Sequence, residues 1–256
     1  MVEGLDIFIE HFEAYTDHYI LIGGSACDWQ MEQKGLPFRA TKDIDIILIV
    51  EALSDDFTNH FWKFIKDGEY SIAEAGEKKR FYRFIKPQAN GFPKMIELFS
   101  RKPDLIKVIE GMHLTDIPTS EEASSLSAIL LDDDYYNFAL LNSQLIDGLH
   151  VANDFALICL KTRAFLNNRK RREEGQSIRD EEITKHRNDV IRLTVTLVPD
   201  TVVQIPNVAK DDLKNYIGIL KEEKINIKDL LKSQGAANTS IEEIINQLIK
   251  TFVLNS

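Results

Sequence analysis

The sequence is short of several features that would settle its class at once. Only two cysteines occur, Cys27 and Cys159. They lie far apart in apolar or helical surroundings, which argues against a disulfide framework and suits a reducing cytoplasm. No apolar run approaches the roughly 20 residues needed to span a bilayer, so no membrane role is expected. The first residues, Met1-Val-Glu-Gly-Leu-Asp6, lack the basic region and apolar stretch of a secretory signal. Positive charge is scarce too: 31 Lys and Arg against 41 Asp and Glu leave a formal net charge of −10. That argues against a protein that coats nucleic acid by electrostatics alone, and leaves a local basic groove open. Two basic clusters stand out, Lys78-Lys79-Arg80 with Arg83, and Arg169-Lys170-Arg171-Arg172. Glu173-Glu174 follow the second cluster at once and make it read as a solvated helix end. The histidines show no zinc spacing, and His186 reads as a helix neighbour of Asp189. No Ser-His-Asp or Cys-His arrangement can be argued.

What is present divides the chain in two. At 256 residues it is long enough for a substantial core and two domains. Leu5, Phe8, Ile9, Phe12 and Tyr15 recur at helical spacing over residues 3 to 17. His18 to Ile22 is a short apolar run that reads as a buried strand. It breaks at Gly23-Gly24 into a helix over 26–34, with Ser25 as its cap. Asp43 to Val50 reads as a strand buried on both faces, followed by a helix over 53–66. Tyr70 to Ala73 is a candidate strand. Residues 80–86 and 94–99 flank Asn90-Gly91, the signature of a hairpin. Pro103 and Pro118 punctuate a less legible stretch, and Asp132-Asp133-Asp134 reads as a loop.

Helical patterns take over at Val151, over 151–169, 180–193, 211–221 and 240–254. The last carries a capping box, Ser240-x-x-Glu243. The expected fold is therefore α+β: a mixed sheet flanked by helices over 1–145, then a helical domain over 146–256.

Three parts of this pattern carry chemistry. Asp43 and Asp45 lie two apart in a strand, so their side chains leave the same face. Two ionised carboxylates about 4 Å apart repel by roughly 4 kcal/mol at an effective dielectric near 20. A cation that offsets this repulsion would suit hard oxygen ligands, and Mg²⁺ prefers a few carboxylates plus phosphate oxygens. Alone the pair is a weak signal, and a strand that begins at the surface with both aspartates at its wet end is the blander account of it. Glu97 interrupts another apolar strand, as a third ligand would if the two strands were neighbours. A strand-to-helix turn at Gly23-Gly24-Ser25 offers backbone N–H groups and a helix N-terminus, which suit phosphate. It lacks the lysine of a P-loop and the third glycine of a dinucleotide fingerprint.

Gly-Gly-Ser, then Asp-Ile-Asp-Ile, then a distal strand carboxylate resembles the DNA polymerase β-type nucleotidyltransferase superfamily. Arg39-Ala-Thr-Lys-Asp-Ile-Asp45 resembles the arginine-led approach to the two aspartates in its AbiEii-like branch, the type IV toxin-like branch. The gap between Ser25 and Asp43 is longer than in minimal members. The resemblance implies a nucleotidyltransferase-type sheet in which Gly23, Gly24, Ser25 and Arg39 hold a nucleoside triphosphate. It implies that Asp43, Asp45 and Glu97 ligate two Mg²⁺ (or Mn²⁺) ions.

Lys161 has Leu157, Ile158, Ala164 and Phe165 on its helical face. It either snorkels from a packed face or enters a cleft with an anionic partner. Lys161-Thr-Arg-Ala164 resembles the branch's Lys-x-x-Ala element, whose lysine approaches the phosphates. His186 to Leu193 resembles its Arg-x-Asp element, which makes Asp189 a site residue that positions Lys161 or the acceptor. An exposed helical aspartate paired with Lys185 or Arg192 is the plainer account.

The expected activity is Mg²⁺-dependent transfer of a nucleoside monophosphate from an NTP to an acceptor hydroxyl. The resemblance implies an RNA such as the tRNA 3′ end, or a protein, as acceptor, and a toxin role with an antitoxin partner. A nucleotide-binding or interaction module without turnover, and an antibiotic-type transferase acting on a small molecule, are the alternatives.

Overall fold

The computed structural model describes residues 2–49, 51–52, 54–75, 79–99 and 132–254. Pro103 and Pro118, with most of the stretch they punctuate, lie outside these residues, as do the side chains of the Lys78-Lys79-Arg80 cluster.

The chain begins with α1 (Leu5–Phe12), extended by a 3₁₀ segment (Glu13–His18). It continues through β1 (Tyr19–Ile22), α2 (Gly23–Gln33), β2 (Asp43–Leu48) and α3 (Asp55–Asp67). Then come β3 (Ser71–Ala75), β4 (Lys79–Ile85) and β5 (Met95–Phe99). After the undescribed stretch follow α4 (Asp133–Leu141), β6 (Ser143–Ile146) and β7 (Leu149–Ala152). The chain ends in α5 (Asp154–Glu173), α6 (Asp180–Thr194), α7 (Asn207–Glu222), α8 (Ile227–Leu231) and α9 (Ile241–Thr251).

The fold is α+β, and the described residues form one mixed sheet of seven strands in the order β3-β4-β5-β2-β1-β7-β6. β2 runs antiparallel to β1 and parallel to β5, while β1 runs parallel to β7. All four residues of β1 are buried, as expected for a central strand that has neighbours on both sides. Helix α1 buries Leu5, Phe8 and Phe12, and Phe8 and Phe12 meet Phe64 of α3. Ser54 starts α3 by accepting from the Phe57 N–H at 3.1 Å. The 80–86 and 94–99 segments pair antiparallel as expected, with Gly91 at φ +82° in their connector. At the other end of the chain the Ser240–Glu243 capping box is complete.

Several local readings are corrected. Asp132-Asp133-Asp134 is not a loop throughout: Asp132 caps α4, its carboxylate accepting from the Asp134 and Tyr135 N–H groups, and Asp133 and Asp134 form the first turn. Val151 does not begin a helix. It pairs with Leu21 in the sheet, and the following helix starts only at Asp154, capped by Asn153. The β6–β7 hairpin therefore straddles residue 145 and belongs to the sheet. Ser25 does not cap α2, because its hydroxyl donates to the Asp43 carbonyl. β2 is also not buried on both faces throughout: Asp43 and Asp45 are half-exposed, while Ile44 and the residues from Ile46 to Leu48 are buried.

Helices α5 and α6 pack on each other and both touch α2, so the helical region closes over the end of β1 where the chain turns. Gln30 of α2 donates to the Ala152 carbonyl at 2.9 Å, tying α2 to β7. Among the described residues no helix is long and apolar enough to cross a membrane.

Candidate active site

The site forms where β1 ends and β2 begins. Ile22, the last residue of β1, is the register partner of Asp45. Across the parallel β2–β5 pair Asp45 stands directly opposite Glu97, and Asp43 opposite Met95. On the next strand Arg83 faces Glu97. Because alternate strand residues share a face, Asp43, Asp45, Glu97 and Arg83 line one side of the sheet.

The two glycines are required by what lies on them. Gly23 has φ +73°, and a Cβ there would sit 1.8 Å from Asp45 Oδ2. A Cβ on Gly24 would meet Thr41 Oγ1 at 2.7 Å and Arg39 Nη2 at 3.3 Å. The turn is thus a floor pressed against the Asp45 carboxylate on one side and the Arg39 guanidinium on the other. Ser25 is fully buried and its hydroxyl is spent on β2, so it fixes the position of Asp43.

The carboxyls strain against one another. Asp45 is pushed up to about 8, first by burial and then by the charge of Glu97, to which it is also hydrogen-bonded; Lys161 opposes the shift. Asp45 as a residue is half-buried, but Oδ1 is closed to water and has no hydrogen-bond partner among the described residues. The burial that matters is that of the carboxyl. Asp43 is raised as well, by burial and then Glu97, against Lys185, Arg83 and Arg39. Glu97 forms an ion pair with Arg83.

The helical region supplies the opposing charge. Asp189 of α6 is fully buried and accepts from Arg39 Nε at 2.9 Å and Nη2 at 2.8 Å. Lys161 Nζ of α5 lies 3.3 Å from Asp189 Oδ2, and Arg192 Nη1 lies 3.5 Å from Oδ1. Burial works against the Asp189 charge, but Lys161, the Arg39 hydrogen bonds and Arg192 outweigh it and hold the carboxyl below its ordinary range. Lys161 does not snorkel; it is 3 % exposed and points into the cleft toward an anion. Nor is Asp189 an exposed surface acid. Lys185, one helical turn before Asp189, has its ammonium shifted down by burial and then by Lys161 and Arg39. Burial, followed by Lys161, Lys185 and Arg39, also pushes the buried His186 well below its ordinary range and keeps it neutral.

The structure therefore brings together Gly23, Gly24, Arg39, Asp43, Asp45, Glu97, Lys161 and Asp189. Sequence reasoning missed Arg83 as a member of the site and met Lys185 and Arg192 only as partners for Asp189. The period-2 alternation of β4 could have put Arg83 on a face, but only the strand order puts that face beside Glu97.

As placed, no three His, Cys, Asp or Glu among the described residues gather closely enough to hold a metal ion. Asp45 and Glu97 do converge, and Asp43 stands on the same face nearer the strand's start. The orphaned Asp45 Oδ1, the hard-oxygen donors and the raised Asp45 carboxyl fit a divalent cation, which would occupy the free oxygen and favour the ionised form. Comparison of the chain with family models, with curated proteins and with solved structures returned no match.

Proposed function

We propose that this protein is a Mg²⁺-dependent nucleotidyltransferase that moves a nucleoside monophosphate from an NTP to an acceptor hydroxyl on RNA or protein. The observation that carries this reading is the register of Asp45 against Glu97 beside the Gly23–Gly24 turn, with a cluster of cations anchored on Asp189 facing it. Asp43, Asp45 and Glu97 would hold the metal, with Mn²⁺ as a substitute. When bound, the ions supply charge neutralisation at the attacking and leaving oxygens. The chain's own residues do the positioning. The backbone at Gly23–Gly24 lets a phosphate approach closely, and among the described residues the α2 N-terminus has no side-chain cap that would compete for its N–H groups. Arg39 and Lys161 sit at fixed places because Asp189 binds both, so their charge meets the polyphosphate without reorganisation. A toxin role, with a partner protein that silences the activity, is part of the same proposal and rests on the resemblance alone.

The test is incubation with each labelled NTP, Mg²⁺ and total RNA plus protein, beside Asp45→Ala. Transfer of label to RNA or to protein, abolished in the variant, supports the reading and identifies the acceptor class. Transfer that survives the substitution overturns the metal assignment.

A further inference from the structure

Among the described residues, Arg83 is the one cation of the site that belongs to the sheet and touches a carboxylate expected to hold metal. It faces Glu97 across the antiparallel β4–β5 pair and forms an ion pair with it. Arg39, Lys161 and Arg192 instead make their ion pairs with Asp189 of the helical region. The chain's own charges already balance Glu97, which has the Arg83 guanidinium on one side and Asp45 opposite it in the β2–β5 register. Both Arg83 contacts fall on Glu97 Oε1, so a divalent ion that takes that oxygen displaces the guanidinium. The guanidinium is then left beside the ion, where the phosphate oxygens of a metal-bound nucleotide would lie. Its planar fork suits phosphate as well as carboxylate.

We propose that Arg83 is a counter-ion that exchanges partners, holding Glu97 until metal takes it and binding a substrate phosphate thereafter. This deepens the nucleotidyltransferase reading and rests on it. Arg83 then acts with opposite sign on two ligands, competing with the metal and assisting the nucleotide. A purely structural arginine would weaken both or neither.

The experiment uses the full chain, Arg83→Gln and Arg83→Lys, with thermal melts to establish that each is folded. Mn²⁺ binding without nucleotide is read by electron paramagnetic resonance. Binding of a non-hydrolysable NTP analogue at saturating Mn²⁺ is read by calorimetry. Arg83→Gln is expected to bind Mn²⁺ about fivefold more tightly, the scale of one partly exposed ion pair removed, and the analogue about tenfold more weakly. Arg83→Lys should fall between the variant and the wild type in both. Wild-type binding of Mn²⁺ and analogue with no opposite-sign change in Arg83→Gln would overturn the exchange and leave the enzyme reading standing. Wild-type protein that binds neither ligand would overturn both.

Discussion

Replacing Asp189 by Asn tests whether the helical region and the sheet are held together by charge. The side chain is fully buried and serves Arg39, Lys161 and Arg192 at once. The amide keeps the shape and one acceptor oxygen but leaves three cations around a neutral group, one of them the 3 %-exposed Lys161. Breaking a buried pair in this way costs about 3–5 kcal/mol. Arg39 and Arg192 retain some solvent access, which favours the lower end. At roughly 2–4 °C per kcal/mol for a chain of this size, the melting temperature should fall by about 10 °C at pH 7. Because the Asp189 carboxyl lies below its unfolded value of about 3.9, its stabilisation is present above that pH and is lost as pH falls through the lower folded value. The gap between wild type and variant should therefore close in acid. Lys161→Met, which removes the deepest cation, should recover part of the loss when combined with Asp189→Asn. A melting shift below about 2 °C, or a cost in the double variant equal to the sum of the single costs, would refute the argument.

Asp45→Asn should abolish label transfer, yet stabilise the metal-free protein in alkali. The native carboxyl is raised to about 8, so between the unfolded value of about 3.9 and 8 the folded state binds the extra proton. Wild-type stability in chelator then falls as pH rises through that window. Melting curves from pH 5 to 9 should show a decline in the wild type that is absent in the variant. Gly23→Ala puts a Cβ at φ +73° against Asp45 Oδ2, and should cost at least about 1–2 kcal/mol from the left-handed backbone alone, read by urea unfolding, together with a loss of transfer. Ser240→Ala removes the capping box of α9 and should cost about 1 kcal/mol in the same assay, with transfer unchanged because the Ser240 hydroxyl bonds within the first turn of α9 itself.

Local pattern carried the parts of the site that depend on near neighbours in the chain. The Tyr19–Ile22 run breaking at two glycines, the shared face of Asp43 and Asp45, the 80–99 hairpin and the capping box at Ser240 each follow from spacing a few residues long, and each is present. What failed were places where a local signal had two outcomes. Asp132 was equally at home in a loop or at a helix start, and β6–β7 is a short hairpin whose apolar residues merge into the helix that follows. Ser25 has the chemistry of a cap, but a buried hydroxyl takes the nearest acceptor, here a carbonyl on a strand that pairs with the preceding one.

The sequence by itself determined which groups were available: a glycine turn, three strand carboxylates and two helices bearing Lys161 and Asp189. Only the tertiary structure decided who faces whom. The order β4-β5-β2-β1 puts Glu97 against Asp45 and Arg83 against Glu97, and the packing of α5 and α6 over α2 buries Asp189 where Arg39 reaches it. Strand order and helix docking are set by burial of apolar surface summed over the whole core, a quantity no short window contains. The same stretch of Gly23-Gly24 and Asp43-Ile-Asp45 could have been the wet end of an ordinary strand. In the folded chain the turn lies under one carboxylate, and a fixed cluster of cations stands opposite.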